Sequence, residues 1–203
     1  PDWSRGLGDV YKRQGFNRFD LKRFNDCFKL HTQIVTNHFS DIIMSMVEIH
    51  NSVAKIYEEN KDTLEIFECL DEFSDTQNFC DHYGFDIEDS CNAILIKAKK
   101  PEEFYAMFCV LGANRLDVNH KANKAMGAKR VSFASREEAE AVTGQIYGGI
   151  SPLGLPENIR VYMDKNVTDR EKLFIGAGNR VSKFFLSPES LIDLSSAKVL
   201  DLT

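Results

Sequence analysis

The stretch Thr143-Gly144-Gln145-Ile146-Tyr147-Gly148-Gly149-Ile150-Ser151-Pro152-Leu153-Gly154-Leu155-Pro156 constrains the fold more than any other part of this 203-residue chain. It holds four of the 12 glycines and two of the five prolines. Glycine permits positive φ and close backbone approach, while proline removes a donor and fixes φ, so the run suits neither a helix nor the interior of a sheet. It reads as a loop with stiff ends. Such a loop presents bare N–H groups to a carbonyl or phosphate oxygen, the arrangement an oxyanion site needs, or it is a plain structural turn.

On both sides the chain is punctuated by start and stop signals. A helix is expected from about Ser52 to Glu59, followed by an alternating strand from Leu64 to Cys69. Ser74-Asp75-Thr76-Gln77 has the form of a capping box, with the helix stopping at Gly84. Asp117 caps a segment from Val118 to Met126 closed by Gly127, and Ser135-Arg136-Glu137-Glu138 opens a helix that ends at Gly144. Strands are expected at Asn92 to Lys97, Phe104 to Leu111, Arg130 to Phe133, Ile159 to Met163, Lys172 to Ile175 and Lys183 to Leu186. Ser187-Pro188 then starts a last helix. The mixture predicts an α+β fold, a curved mixed β-sheet with flanking helices, in one domain.

The balance of 25 basic against 31 acidic residues, a net charge of −6, excludes a general nucleic-acid coat that works by phosphate neutralisation alone. Lys121, Lys124, Lys129 and Arg130 form either a local basic face or an ordinary solvated one. No apolar run is long enough for a membrane-spanning helix and no signal-peptide order is seen, so a cytoplasmic protein without membrane association is expected. The five cysteines contain no C-x-x-C pair, and Cys69, Cys80 and His82 fit no common ligand spacing. No metal and no cofactor is expected. Gly176-Ala177-Gly178 lacks a third glycine and leads into a strand, which excludes a dinucleotide-binding turn.

The start of the chain reads differently. Asp9-Val10-Tyr11-Lys12-Arg13-Gln14 is the translation of a transposon end used in sequencing adapters, so residues 1–14 are read as a scar and not as native sequence. Residues 15–43 are either further non-native sequence or an amphipathic helix. Met44 and Met46 are candidate starts, and the folded domain is assigned to 44–203.

Gly127-Ala128-Lys129-Arg130-Val131-Ser132-Phe133-Ala134-Ser135, the glycine loop through Pro156, Gly176-Ala177-Gly178-Asn179-Arg180 and Leu186-Ser187-Pro188 together resemble the YbaK/EbsC family. That family includes the editing insertion of prolyl-tRNA synthetase and its free-standing relatives. The resemblance implies a trans-editing aminoacyl-tRNA deacylase acting on the acceptor end of mischarged tRNA, with a synthetase as a further partner. In this family the terminal ribose hydroxyl is thought to assist the attack. The implied catalytic set is Asn92, Gly148, Gly149 and Pro152. Cys91, Thr143, Gly144, Ser151, Gly154, Arg115, Lys129, Arg130, Gly178 and Asn179 are the implied substrate contacts. Gly149→Ala is expected to slow turnover while leaving the fold intact.

One departure stands out. Many members place a lysine at the start of the second core strand, where this chain has Ser90-Cys91-Asn92-Ala93. With no cation there, Arg115, Lys129 or Arg130 are the residues left to reach the site. Cys91 reads as a buried structural thiol more than as a nucleophile, since no histidine neighbours it in sequence. The alternative reading is a catalytically silent relative that binds tRNA or a protein partner. Oligomeric state, the amino acid cleared and the tRNA recognised are left open.

Overall fold

The computed structural model describes residues 48–203. The expectations for residues 1–14, for the extension 15–43 and for Met44 and Met46 concern residues outside that range. The polypeptide starts with α1 (Asn51–Glu59), followed by β1 (Glu65–Glu68) and α2 (Thr76–Tyr83). Two long strands come next, β2 (Cys91–Lys100) and β3 (Phe104–Leu111). A π turn, Val118–Ala122, runs into α3 (Asn123–Met126), and β4 (Arg130–Phe133) and α4 (Arg136–Thr143) precede the glycine loop. After the loop come β5 (Arg160–Asp164), β6 (Leu173–Gly176), β7 (Ser182–Leu186), α5 (Pro188–Ser195) and β8 (Lys198–Leu200).

The strands form two sheets. One has the order β4-β2-β3-β5-β8, antiparallel on the β2 side of β3 and parallel on the β5 side. The other is antiparallel, in the order β1-β7-β6. A single parallel bridge between Ser90 and Phe174 joins them at the start of β2. The result is the mixed α+β fold expected from the sequence, with its strands divided between two sheets where one was expected.

β3 is central and covered on both faces, and its alternation sorts the core. Met107, Cys109 and Leu111 share one cluster with Leu95, Val161, Met163 and Leu173. Ala106, Phe108 and Val110 share another with Ile96, Ala98, Tyr162 and Met126. Successive residues of a strand point to opposite faces, so each cluster takes every second position. A third cluster, with Phe79, Cys80, Phe174 and Phe185 at its centre, lies between α2 and the small sheet.

The punctuation signals map closely onto the elements. Ser135 and Glu138 form the reciprocal capping box of α4, and Ser187 caps α5 with Pro188 in its first turn. α2, α3 and α4 end at Gly84, Gly127 and Gly144, each in the left-handed region. One cap differs from the sequence expectation: α2 is capped by Asp75, which accepts from the Gln77 N–H, and not by Ser74. Ser74 sits one residue further out, with its carbonyl and hydroxyl turned inward, and that displacement shapes the site below.

Candidate active site at the seam of the two sheets

The seam between the sheets brings a polar row together. β7 pairs with β6 so that Lys183 lies opposite Gly176. Ser90 bridges Phe174, which sets the start of β2 beside β6. Asn92, two residues on from Ser90, therefore lies near the strand that carries Gly176. Gly176 has no side chain.

The N-terminal end of α2 closes over this row and touches both flanks. The Thr76 hydroxyl donates to Asn92 Oδ1 at 2.9 Å, and the Ser90 hydroxyl reaches the same oxygen at 3.1 Å. Lys183 Nζ donates to the Ser74 carbonyl at 2.7 Å and lies 5.7 Å from the centre of the Phe79 ring. The Ser74 hydroxyl is buried without a hydrogen-bond partner among the described residues. Lys183 is only 5 % exposed, and burial pushes its ammonium below the ordinary lysine value.

The glycine loop forms the rim above Gly176. A Cβ on Gly176 would lie 2.4 Å from the Gly149 carbonyl oxygen and 2.5 Å from that of Ile150. Only glycine admits the loop this closely. Inside the loop, Gln145 acts as a brace: its Nε2 donates to the Leu153 carbonyl and its Oε1 accepts from the Ser151 N–H. The Gly149 N–H is used by Ile146 O, and the Gly149 carbonyl accepts from Gly178. The N–H groups of Gly148 and Ile150 have no acceptor among the described residues. Arg180 lies against Gly148 and is held by the Asp71 carboxylate and carbonyl.

A family model described as the aminoacyl-tRNA editing domain matches residues 71–194, which span α2, the seam, the glycine loop and α5. The chain belongs to that family. It is 30% identical over 92 residues to the Enterococcus faecalis protein named "Putative Cys-tRNA(Pro)/Cys-tRNA(Cys) deacylase EbsC", over 45% of this chain and 56% of that protein. It is 34% identical over 106 residues to a proline–tRNA ligase of Nautilia profundicola, covering 51% of this chain and 18% of the ligase. The chain thus spans about half of the first relative and under a fifth of the second. A crystal structure described as a "putative trans-editing enzyme for prolyl tRNA synthetase" shares the fold, with TM-score 0.65 at 22% identity over 77% of this chain and 99% of that one.

In this editing domain the residues singled out from the sequence fall into separate groups. Asn92 lies at the seam, the Gly149 carbonyl packs on Gly176 beside it, and Gly148 lies against Arg180. Gly178 and Asn179 buttress it from behind: Asn179 Oδ1 accepts from the Val181 N–H and the Ser182 hydroxyl, and its amide donates to the Glu48 carbonyl. Thr143, Gly144 and Ser151 serve the loop itself. The Thr143 hydroxyl donates to the Ala139 carbonyl, Gly144 terminates α4, and Ser151 Oγ accepts from the Leu153 N–H.

Others lie elsewhere. Pro152 and Gly154 line a different cavity, about 610 Å³, with Ile56, Ile159 and Leu194. Cys91 points to the opposite face of β2 from Asn92, buried against Cys109. The hydrogen bond with Cys109 and burial hold its proton well above the ordinary thiol range, which removes it as a nucleophile. Lys129 and Arg130 adjoin Lys100, eight residues along β2 from Asn92 and so about 26 Å away at strand rise. Both are exposed, as is Arg115, which follows the end of β3. Lys121 is engaged by Asp201.

Sequence reasoning passed over Lys183 and treated it as an ordinary strand residue. The only available signal was a cation inside the apolar run Lys183-Phe184-Phe185-Leu186. The same reasoning misjudged Gly149→Ala. A Cβ there would sit 1.7 Å from the Asn179 carbonyl oxygen and 2.3 Å from its carbon, so it collides with the protein backbone before it meets any substrate.

Proposed function

We propose that this editing domain is a trans-acting aminoacyl-tRNA deacylase that hydrolyses the ester of mischarged tRNA. The observation that carries the reading is the pair of unengaged N–H groups at Gly148 and Ile150 in the braced glycine loop, within the span that matches the family. Backbone donors fixed by a braced loop need no reorganisation when negative charge develops on an ester carbonyl, which is the basis of oxyanion stabilisation. The aminoacyl ester is already activated, so orientation and a placed water suffice without a nucleophilic triad. Water oxygen bonds to the carbonyl carbon, the bond to the ribose oxygen breaks, and the proton lost by water ends on that ribose oxygen. The products are a free amino acid and uncharged tRNA.

The names of the relatives, a Cys-tRNA deacylase and a trans-editing enzyme for prolyl-tRNA synthetase, support this reaction class and suggest a synthetase as a partner. A second reading, a catalytically silent module that binds tRNA or a protein, is favoured by the state of Asn92, whose oxygen is already taken by Thr76 and Ser90. A panel of tRNAs, each charged with a wrong amino acid, separates the two. Release of at least one amino acid well above the uncatalysed rate is expected. Tight binding of the panel with no release from any member supports the silent module.

A further inference from the structure

The seam contains a buried cation that nothing in the loop chemistry uses. Lys183 has three N–H donors, and one of them is taken by the Ser74 carbonyl. It forms no ion pair with a carboxylate among the described residues. Burying an ammonium without a paired charge costs several kcal/mol, and substitution by an apolar residue of similar volume normally relieves that cost. A structural role is therefore a poor account of it. Two features point outward to a ligand. The turn from Ser74 to Thr76 touches both Lys183 and Asn92, which brings these two side chains to one place. The Ser74 hydroxyl beside Lys183 is buried and unsatisfied.

We propose that Lys183, reaching in from β7, is the substrate-contacting cation of this site, donating to an oxygen of the aminoacylated terminal nucleotide of the RNA. The inference rests on the deacylase reading for its substrate class. It moves the positive charge of the site from the β2 position held by Asn92 to β7, on the far side of β6. It also explains why Arg115, Lys129 and Arg130 are not needed there. The oxygen belongs either to the ribose–phosphate backbone or to the aminoacyl carbonyl, and both accept from an ammonium in the same way.

The test is binding of a short acceptor-stem RNA hairpin that carries an amide-linked amino acid at its 3′ end and so is not hydrolysed. Lys183→Met and Lys183→Gln are compared with the wild-type chain by fluorescence anisotropy, with thermal melting as the check on folding. Each variant is expected to bind about ten- to a hundredfold more weakly, as the loss of a charge-assisted hydrogen bond implies. Neither variant is expected to melt below the wild type. Gln keeps a donor for the Ser74 carbonyl, so wild-type affinity in Lys183→Gln would assign Lys183 a packing role and overturn the proposal. Unchanged affinity in both variants would do the same. The bare hairpin locates the contact: equal losses with and without the amino acid assign it to the ribose–phosphate, and a loss confined to the aminoacylated form assigns it to the carbonyl.

A second measurement does not depend on the variants folding. The groups facing Lys183 are Asp75 and Cys80 from the α2 side, Cys69 after β1 and Arg180 before β7. Burial pushes both thiols upward, Cys80 to about 12. Affinity of the wild type for the aminoacylated hairpin should therefore fall as pH rises through the depressed Lys183 value, and a flat profile up to the ordinary lysine range overturns the proposal. If the wild type neither binds the hairpin nor releases any amino acid, the deacylase reading itself fails. Wild-type binding with unaffected variants sinks the Lys183 assignment alone.

Discussion

Gly149 shows how one hydrogen atom holds two loops together. Its carbonyl accepts from Gly178 while its Cα packs on the Asn179 carbonyl, so the glycine loop and the β6–β7 turn form one body. Alanine at this position requires a backbone shift in one of them. Gly149→Ala should destabilise the fold by about 3 kcal/mol, at the upper end for forced overpacking, and chemical denaturation monitored by circular dichroism measures it. A variant of wild-type stability that loses activity would return Gly149 to the role of a substrate contact. The neighbouring Gly148 differs in kind. A Cβ there first meets the Arg180 side chain, held by Asp71, and the cost of a side chain comes from its φ of +87° as well.

Among the elements, the short 3₁₀ turn before β2, Ile87–Asp89, is held to the segment before β6 by an ion pair whose acidic partner is buried. Asp89 is 4 % exposed and receives Nε and Nη2 of Arg170 at 2.9 and 2.6 Å, while its other oxygen is buried without a partner. Burial raises the Asp89 carboxyl above its ordinary value, and Arg170 pulls it partly back. A folded value above the unfolded one means that the native state binds the proton more tightly. The contribution of Asp89 is thus most favourable at pH below the unfolded value, and it is lost as pH rises through the folded value. Arg170→Met leaves the carboxylate unpaired, which should cost about 3 kcal/mol at neutral pH. Loss of Arg170 lets the Asp89 value rise further, so the deficit should shrink as pH is lowered through that raised value, above the ordinary carboxyl range, where the unpaired Asp89 takes its proton. Thermal melts of both proteins across that range measure it, and a deficit independent of pH would mean that the pair is not the cause.

Much of this element level was legible in the sequence, because caps act within a few residues. Ser135 with Glu138, Ser187 with Pro188 and the terminating glycines announce themselves without tertiary information. The facing of β2 was not legible. Cys91 and Asn92 are neighbours in the chain, yet one enters the core and the other the site, and a shift of one residue in register would exchange them. Lys183 was hidden for a related reason. A strand shows the same residues whether its charged position meets water or the end of a helix, and only the docking of α2 decides between them.

Among the described residues the cations are distributed unevenly, and this bears on how the proposed RNA substrate would be held. The chain carries a net charge of −6, and Lys129 and Arg130 sit at the far end of β2 from the seam. At the seam itself are Lys183, tied to one carbonyl, and Arg180, tied to Asp71. Among the described residues such a surface would grip the end of the proposed RNA substrate and offers little to hold a long stretch of its backbone. If about two phosphates are neutralised, log affinity should fall with log salt with a slope near −2. Raising salt from 50 to 200 mM should then weaken hairpin binding by about tenfold, far less than the thousandfold or more expected of a protein that makes six to ten phosphate contacts. Titrations at several salt concentrations measure the slope directly. A slope steeper than about −5 would require an extended basic track, which the Lys129–Arg130 end of the sheet would have to supply, and the RNA would then lie along β2 with only its tip at the seam.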